Sequence, residues 1–373
     1  MRKIVLHKTT TCHPDGRILI YYDSVAEGEN PPPRKIAKAP REPVPMVERR
    51  WHPLWGEWVV ISASRMARPF LPPREECPFC PGALEIPEQY DLAVFENRFP
   101  GLASVPSEPL PSPHPVYQTA PSHGTCEVVM YASRHDTSLA EMSVDDIYRL
   151  TYVWVDRYRE ISSRPGMECV YIFENKGEEV GVTLHHPHCQ IYAFPFLPPR
   201  LQAELNNARE FSARGECLFC SIAEAEKKDG RRLLVETERF LAFVPYFARW
   251  PYEVHIMARH GFATMADFDD EACRQLAQVL KLVIAKFDNL FQASFPYMMV
   301  MHQLPEPGWH FHIEFYPPLR DRGKLKYTAG VESGAGNFVV DSYPEERARH
   351  LQQTPPFEIE PVGIRVSMTE PGK

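Results

Sequence analysis

No run of 18 or more apolar residues occurs in the 373-residue chain, so no segment reads as a bilayer-spanning helix. Basic charge is also short: 41 Lys and Arg stand against 49 Asp and Glu, a formal net charge of −8. That balance argues against a nucleic-acid backbone or an anionic membrane as the main partner. The first ten residues, Met1 to Thr10, hold Arg2 and Lys3 but lack the apolar stretch of a secretory leader. Low-complexity repeats are missing too, because the 38 prolines are scattered through loops. The expectation is a cytoplasmic protein that works on small molecules.

At 44% hydrophobic and 12% aromatic, the chain can bury a proper interior, which excludes global disorder. Its length suits two domains or one elaborated core. Nine cysteines without a leader read as reduced thiols. Four of them form two C-x-x-C pairs, Cys77/Cys80 and Cys217/Cys220. Such a pair lets two thiolates reach one tetrahedral ion from a single tight turn, although redox pairs and buried thiols share the spacing.

The histidines decide between these readings. After Cys77/Cys80, the apolar run Glu127 to Tyr131 closes at His135, and His186-Pro187-His188-Cys189-Gln190 follows. After Cys217/Cys220, Val254 to Met257 closes at His260, and His310-Phe311-His312-Ile313-Glu314 follows. His135 precedes His186 by 51 residues and His260 precedes His310 by 50. Four ligand-type positions in the same order, twice, point to an internal duplication. Each set, Cys77/Cys80/His135/His186 and Cys217/Cys220/His260/His310, is a Cys2His2 complement that would close a structural zinc site.

The intervening segments repeat as well. Ser143 can cap a helix carrying Ile147, Leu150, Thr151, Trp154, Val155 and Tyr158 on one stripe. Asp269 is the matching cap, with Leu276, Val279, Leu280, Val283 and Phe287. Strands are expected over Cys169 to Phe173 and Tyr297 to Met301. Each half therefore reads as an antiparallel sheet with a covering helix, an α+β unit, the two together forming an extended sheet. The expected division is 1–48 as an N-terminal extension with a strand over Ile18 to Tyr22, 49–200 and 201–350 as the halves, and 351–373 as a tail wrapping the surface.

On a strand, residues 186, 188 and 190 would share a face. His186 serves the metal, which leaves His188 beside it as a free imidazole able to attack phosphorus near neutral pH. Gln190 offers an amide N–H to a phosphate oxygen but cannot act as acid or base. The plain reading of His188 is a further ligand or a core residue.

The segment from Phe173-Glu174-Asn175-Lys176-Gly177 through His186-Pro187-His188-Cys189-Gln190 closely resembles the galactose-1-phosphate uridylyltransferase family, the transferase branch of the histidine-triad superfamily. The resemblance extends to Trp58 to Ser62 with Arg65 and Arg68, Phe95-Glu96-Asn97, Trp250 to Glu253, Asp288 to Phe291, Ser294 to Tyr297 and Phe315 to Pro318. It implies duplicated histidine-triad-like halves and a cytoplasmic homodimer. It also implies a ping-pong reaction in which His188 takes uridylyl from UDP-glucose and passes it to galactose 1-phosphate, giving UDP-galactose. By the same match, Arg65, Arg68, Asn97, Asn175, Gly181, Thr183 and Gln190 would line the nucleotide and phosphate pocket. Lys326 and Glu332 would lie on a loop reaching the hexose of a neighbouring subunit. Zinc is the expected metal, as two structural ions, and no organic cofactor is implied.

The match departs in three places. The family's ribose-contacting Asp is Arg98 here, and Val331 replaces a Tyr before Ser333-Gly334-Ala335-Gly336-Asn337, a loop resembling that of ADP-glucose phosphorylase-like adenylyltransferases. That branch is the alternative function, and a zinc-stabilised nucleotide binder without transfer is a third. A hydrolase is disfavoured because Gln190 cannot protonate a leaving group. Family members with a second ion of one Glu and three His have here Glu204, His302, His312 and Glu314; the duplicated Cys217/Cys220/His260/His310 set is expected to hold it instead.

Overall fold

The computed structural model describes residues 2–41, 44, 47–259 and 261–369; His260 and the end of the tail, 370–373, lie outside them. Twelve strands make one sheet: β1 (Arg2–Cys12), β2 (Ile18–Ala26), β3 (Leu92–Glu96), β4 (Thr125–Met130), β5 (Cys169–Lys176), β6 (His188–Phe194), β7 (Leu233–Glu236), β8 (Phe240–Phe243), β9 (Val254–Ala258), β10 (Tyr297–His302), β11 (His312–Tyr316) and β12 (Ile364–Met368). Their order is β7-β8-β9-β11-β10-β5-β6-β4-β3-β2-β1-β12. All neighbours are antiparallel except β1 and β12.

The duplication is visible in this order. Outward from the β5–β10 pair, β6, β4 and β3 on one side answer β11, β9 and β8 on the other. The halves join edge to edge, Tyr297 opposite Lys176 and Met301 opposite Ile172. An extended antiparallel sheet of two histidine-triad-like halves results, as expected.

Four helices matter here: α1 (Val144–Ser162), α2 (Pro199–Ser212), α3 (Leu218–Asp229) and α4 (Asp270–Phe291). The two long ones start where their caps stand. Ser143 Oγ accepts from the Asp146 N–H at 3.2 Å, and Asp269 accepts from the Ala272 N–H at 2.7 Å. Both helices cover the same face. Ile147, Leu150 and Trp154 of α1 and Leu276, Val283 and Phe287 of α4 share one core with Val129, Ile172, Ile191, Met299 and Ile313 of the sheet. Each such side chain contributes about 1.5–3 kcal/mol by leaving water. The opposite face carries the smaller clusters around Phe79 and Phe219, where the cysteine pairs sit.

Two features depart from the sequence reading. The tail supplies an edge strand instead of lying over the surface: Ile364 to Met368 run parallel to β1, with Val366 buried. The edge of β1 is thereby covered by a strand of five residues, which becomes the sheet's new edge. Between residues 47 and 121, strands Val47–His52, Glu57–Ser62 and Thr119–Pro121 build a separate small sheet. The tip of its hairpin exposes Leu54 and Trp55.

A cleft, its histidine and three metal-type clusters

Strand β6 alternates strictly. Cys189, Ile191 and Ala193 point into the core, while His188, Gln190, Tyr192 and Phe194 face the other way. That period of two is what brings His188 and Gln190 to one wall. His186 differs from expectation in that it precedes the strand, in a bend, and is fully buried. The bend lets it turn to the cysteine pair while His188 opens the strand.

The two ring nitrogens of His188 have separate duties. Nδ1 lies 2.8 Å from the His186 carbonyl oxygen, so it carries the hydrogen and donates. Nε2 then holds the lone pair, with no hydrogen-bond partner among the described residues. Burial lowers the imidazole's pKa, outweighing the bond to the carbonyl, and favours the neutral, nucleophilic form. The ring packs edge-on against Phe79 at 5.2 Å.

His188 and Gln190 line a cavity of about 390 Å³. Arg68, Asn97 and Thr183 line it as well, and Phe79, Leu84, Phe95 and Val128 give it an apolar part. Arg98 and Glu85 complete the polar wall. The Arg68 Nε is buried without a partner, and burial, with Arg65 nearby, lowers that guanidinium's pKa. Arg65 bonds only neutral groups, the Tyr192 hydroxyl at 3.1 Å and the Phe99 carbonyl at 3.4 Å. Among the described residues no carboxylate pairs with Arg65, Arg68 or Arg98. Cations left unpaired around a cavity favour an anionic occupant.

Asn175 lines a smaller cavity of about 150 Å³ that shares His188 as a wall. Gly181 ends the short turn Glu178–Val180 at φ 81°, a left-handed conformation that suits glycine. Lys326 and Glu332 are not brought to this cleft. They pair with each other at 3.1 Å late in the second half, Glu332 on the short helix Gly330–Ala335, where Lys326 also donates to the Val339 carbonyl.

Cys77, Cys80, His135 and His186 converge. Sulfur to imidazole Nδ1 distances are 3.7 Å (Cys77–His186), 3.6 Å (Cys80–His186) and 3.5 Å (Cys80–His135). With Zn–S ~2.3 Å and Zn–N ~2.0–2.1 Å, the edges of a tetrahedron are about 3.3–3.8 Å, so zinc fits this spacing. The far nitrogen of His186 lies 2.8 Å from the Ala132 carbonyl oxygen and 3.0 Å from the Tyr90 hydroxyl, which presents Nδ1 to the thiols. Burial, with His135 and His188 adding to it, pushes the His186 pKa down to about 4, the neutral form a ligand needs.

The second half repeats the scheme with a change of nitrogen. His310 Nε2 lies 3.5 Å from Cys217 Sγ and 3.4 Å from Cys220 Sγ, and its Nδ1 faces the Ala258 carbonyl at 2.8 Å. Apart from these, Glu204, His302, His312 and Glu314 form a third group. His255 and Glu253 adjoin it through Glu314. Burial raises the Glu314 pKa, but His255, His302, His312 and Arg249 outweigh it and hold the carboxyl well below its usual range. The sequence reading treats these two sets as rivals for one ion. The structure assembles Cys217, Cys220 and His310 of the one, His260 lying outside the described residues, and all four residues of the other, with Phe219 packed against His310 at 5.6 Å and His312 at 5.4 Å.

Sequence reasoning missed Tyr90, Glu85 and Phe79. The signal for Phe79 was its place inside the cysteine turn. Glu85 and Tyr90 sit in an irregular segment that has no periodicity to read.

Two sheet halves related by duplication, a strand-opening histidine backed by a cysteine–histidine cluster, and unpaired arginines around its cavity define a protein of the histidine-triad superfamily, transferase type. Residues 39–198 match the galactose-1-phosphate uridyl transferase N-terminal domain, and residues 204–353 match its C-terminal domain. The galactose-1-phosphate uridylyltransferase of Thermotoga maritima is 45% identical over 316 residues, covering 83% of this chain and 99% of that protein. A solved uridylyltransferase superposes with a TM-score of 0.73 at 34% identity, covering 82% of this chain and 97% of that one. An ADP-glucose phosphorylase from Arabidopsis thaliana, solved with ADP-glucose bound, shares the fold with a TM-score of 0.63 at 23% identity, over 82% and 98% of the two chains. This chain belongs to the galactose-1-phosphate uridyl transferase family.

Proposed function

We propose that the protein is a hexose-1-phosphate uridylyltransferase that moves uridylyl from UDP-glucose to galactose 1-phosphate in two displacements. The observation that carries this reading is the tautomer of His188: Nδ1–H is spent on the His186 carbonyl, and Nε2 is left as the lone pair beside the arginine-lined cavity. In the first step Nε2 forms a bond to the α-phosphorus while the bridging P–O bond breaks, releasing glucose 1-phosphate with the electron pair. In the second step a phosphate oxygen of galactose 1-phosphate forms the new P–O bond and the P–N bond breaks, freeing His188. Neither leaving group needs a proton, which accords with Gln190 in place of an acid. Gln190, Arg68 and Thr183 would hold the phosphoryl oxygens, with Arg65 and Gly181 supporting the phosphate end and Asn97 and Asn175 the nucleotide. No organic cofactor is needed.

The test is isotope exchange. Labelled glucose 1-phosphate should enter UDP-glucose with no galactose 1-phosphate present, and His188→Ala should abolish it. Exchange that requires the second sugar would contradict the covalent route. The adenylyl alternative draws on Arg98 in the cavity wall and on the 333–337 loop; preference for ADP-glucose in the same assay would favour it.

Zinc would occupy Cys77/Cys80/His135/His186, and Cys217/Cys220/His310 with His260 as fourth ligand, as structural ions. The oxygen- and nitrogen-rich Glu204/His302/His312/Glu314 group suits a divalent ion that thiolates do not select. Fewer than two zincs per chain on elemental analysis would contradict this. The cytoplasmic assignment is supported by nine cysteines that are all unpaired thiols; no helix among the described residues is long and apolar enough to cross a membrane. A homodimer accords with Lys326 and Glu332, which line neither cavity beside His188 and which the family resemblance assigns to the hexose of a neighbouring subunit. Light scattering that finds active monomer would overturn it.

A further inference from the structure

A carboxylate in a cavity otherwise shaped for a nucleotide calls for a reason, because phosphates repel it. Glu85 is that carboxylate: it is 4% exposed and lines the same cavity as His188. A chain of rings gives its position. His188 packs on Phe79 at 5.2 Å, Phe79 on Phe95 at 5.4 Å, and Phe95 on His13 at 6.4 Å, whose Nε2 is 4.0 Å from Glu85. Through His13, Glu85 thus adjoins the aromatic rings that pack on His188.

Only part of its bonding capacity is used. Oε2 accepts from Arg17 Nη1 at 2.7 Å, and that guanidinium is itself held by Asp15 at 2.8 Å and by the Glu96 carbonyl at 2.9 Å. Oε1 has no hydrogen-bond partner among the described residues. Arg17 and His13 come from the turn between β1 and β2, so the N-terminal hairpin fixes Glu85 from behind. Arg98 lines the same cavity, at the position where the family pattern places a ribose-contacting Asp.

We propose that Glu85 accepts the ribose hydroxyls of the bound nucleotide, in the role that Arg98 cannot fill. A carboxylate is acceptor-only, and a vicinal diol offers it two donors. This assignment rests on the nucleotidyl-transfer reading of the cleft. It makes the N-terminal hairpin part of the specificity apparatus, acting on ribose through Arg17.

The test compares UDP-glucose with its 2′-deoxy and 3′-deoxy ribose analogues, in the full-length protein and in Glu85→Gln and Glu85→Ala. The native protein should prefer the ribose donor by roughly tenfold to a hundredfold in kcat/KM, the scale of one charge-assisted hydrogen bond. Glu85→Ala should bring that ratio near one, chiefly by raising KM for UDP-glucose, with Glu85→Gln in between. Equal losses on all three donors, with a lowered melting temperature, would assign Glu85 to anchoring the hairpin and overturn the proposal. If the variants fail to fold, the native protein crystallised with UMP decides: a ribose oxygen within about 3.2 Å of Glu85 supports it, and a longer separation overturns it. Native protein that uses UDP-glucose without ribose discrimination would sink this inference alone, whereas native protein that binds neither uridine nor adenosine nucleotides would sink the transfer reading with it.

Discussion

Tyr90 shows how much of the cysteine–histidine cluster, the proposed zinc site, depends on residues outside the ligand set. Its hydroxyl lies 3.0 Å from His186 Nε2 and 2.9 Å from the Ala132 carbonyl that the same imidazole faces. Removing such an outer partner commonly costs ~10–100-fold in metal affinity. Tyr90→Phe should therefore lose zinc to a chelator at that much lower concentration, and unchanged affinity would contradict the role. Glu174 offers a second test at this scale. It is buried under Tyr131, whose hydroxyl donates at 2.5 Å, and Tyr297, at 3.2 Å. Burial raises its pKa to about 7, against the pull of Tyr131 and Lys176. The folded state thus holds a proton that the unfolded state releases near 4.5, so stability from this group is full below about pH 4.5 and is lost as pH rises to about 7. Glu174→Gln should be the more stable protein above pH 7, by on the order of 3 kcal/mol at most, with the difference closing towards pH 4.5. Parallel melting curves for the two proteins across that window would refute it.

Strands and helices were legible where a local rule governed them. Ser143 and Asp269 mark the starts of α1 and α4 because a capping side chain needs only its next three residues. Strand β12 was hidden because Ile364, Val366 and Met368 alternate for only five residues among prolines, and its partner β1 lies at the other end of the chain. The same non-local logic governs β4 and α1. Arg157 is fully buried and donates twice to Glu127, at 2.8 and 2.7 Å. Breaking a buried pair on one side typically costs ~3–5 kcal/mol, while replacing both partners with apolar residues costs much less. Urea unfolding should accordingly find Glu127→Ala far less stable than Glu127→Leu combined with Arg157→Met. A single variant as mild as the double would show that the pair is not the anchor joining α1 to the sheet.

Over the whole molecule, the duplication was readable because metal ligands are rare residue types whose order survives at fixed intervals, and the sheet keeps that symmetry about the β5–β10 pair. The two halves differ at the matching positions. At the position of Gln190 the second half has Glu314, and at that of His188 it has His312, enclosed with His302, Glu204 and Glu314. An acid-lined nest disfavours a phosphate, which agrees with the proposal that transfer belongs to the first half. Of the site residues expected from the resemblance, His188, Gln190, Arg68, Asn97 and Thr183 line one cavity, and Arg65, Asn175, Gly181, Lys326 and Glu332 do not. Glu85 and Arg98 could not be ranked beforehand, because the wall is assembled from residues far apart in the chain: 67–69, the cysteine turn and the segment after it, the end of β3, Thr183 and β6. The central claim is that His188 becomes covalently nucleotidylated. Intact-mass spectrometry after incubation with UDP-glucose alone tests it most directly. The account predicts one added uridylyl group per chain, absent from His188→Ala and removed by galactose 1-phosphate. Full turnover with no adduct in the native protein, or an adduct that persists in His188→Ala, would contradict it.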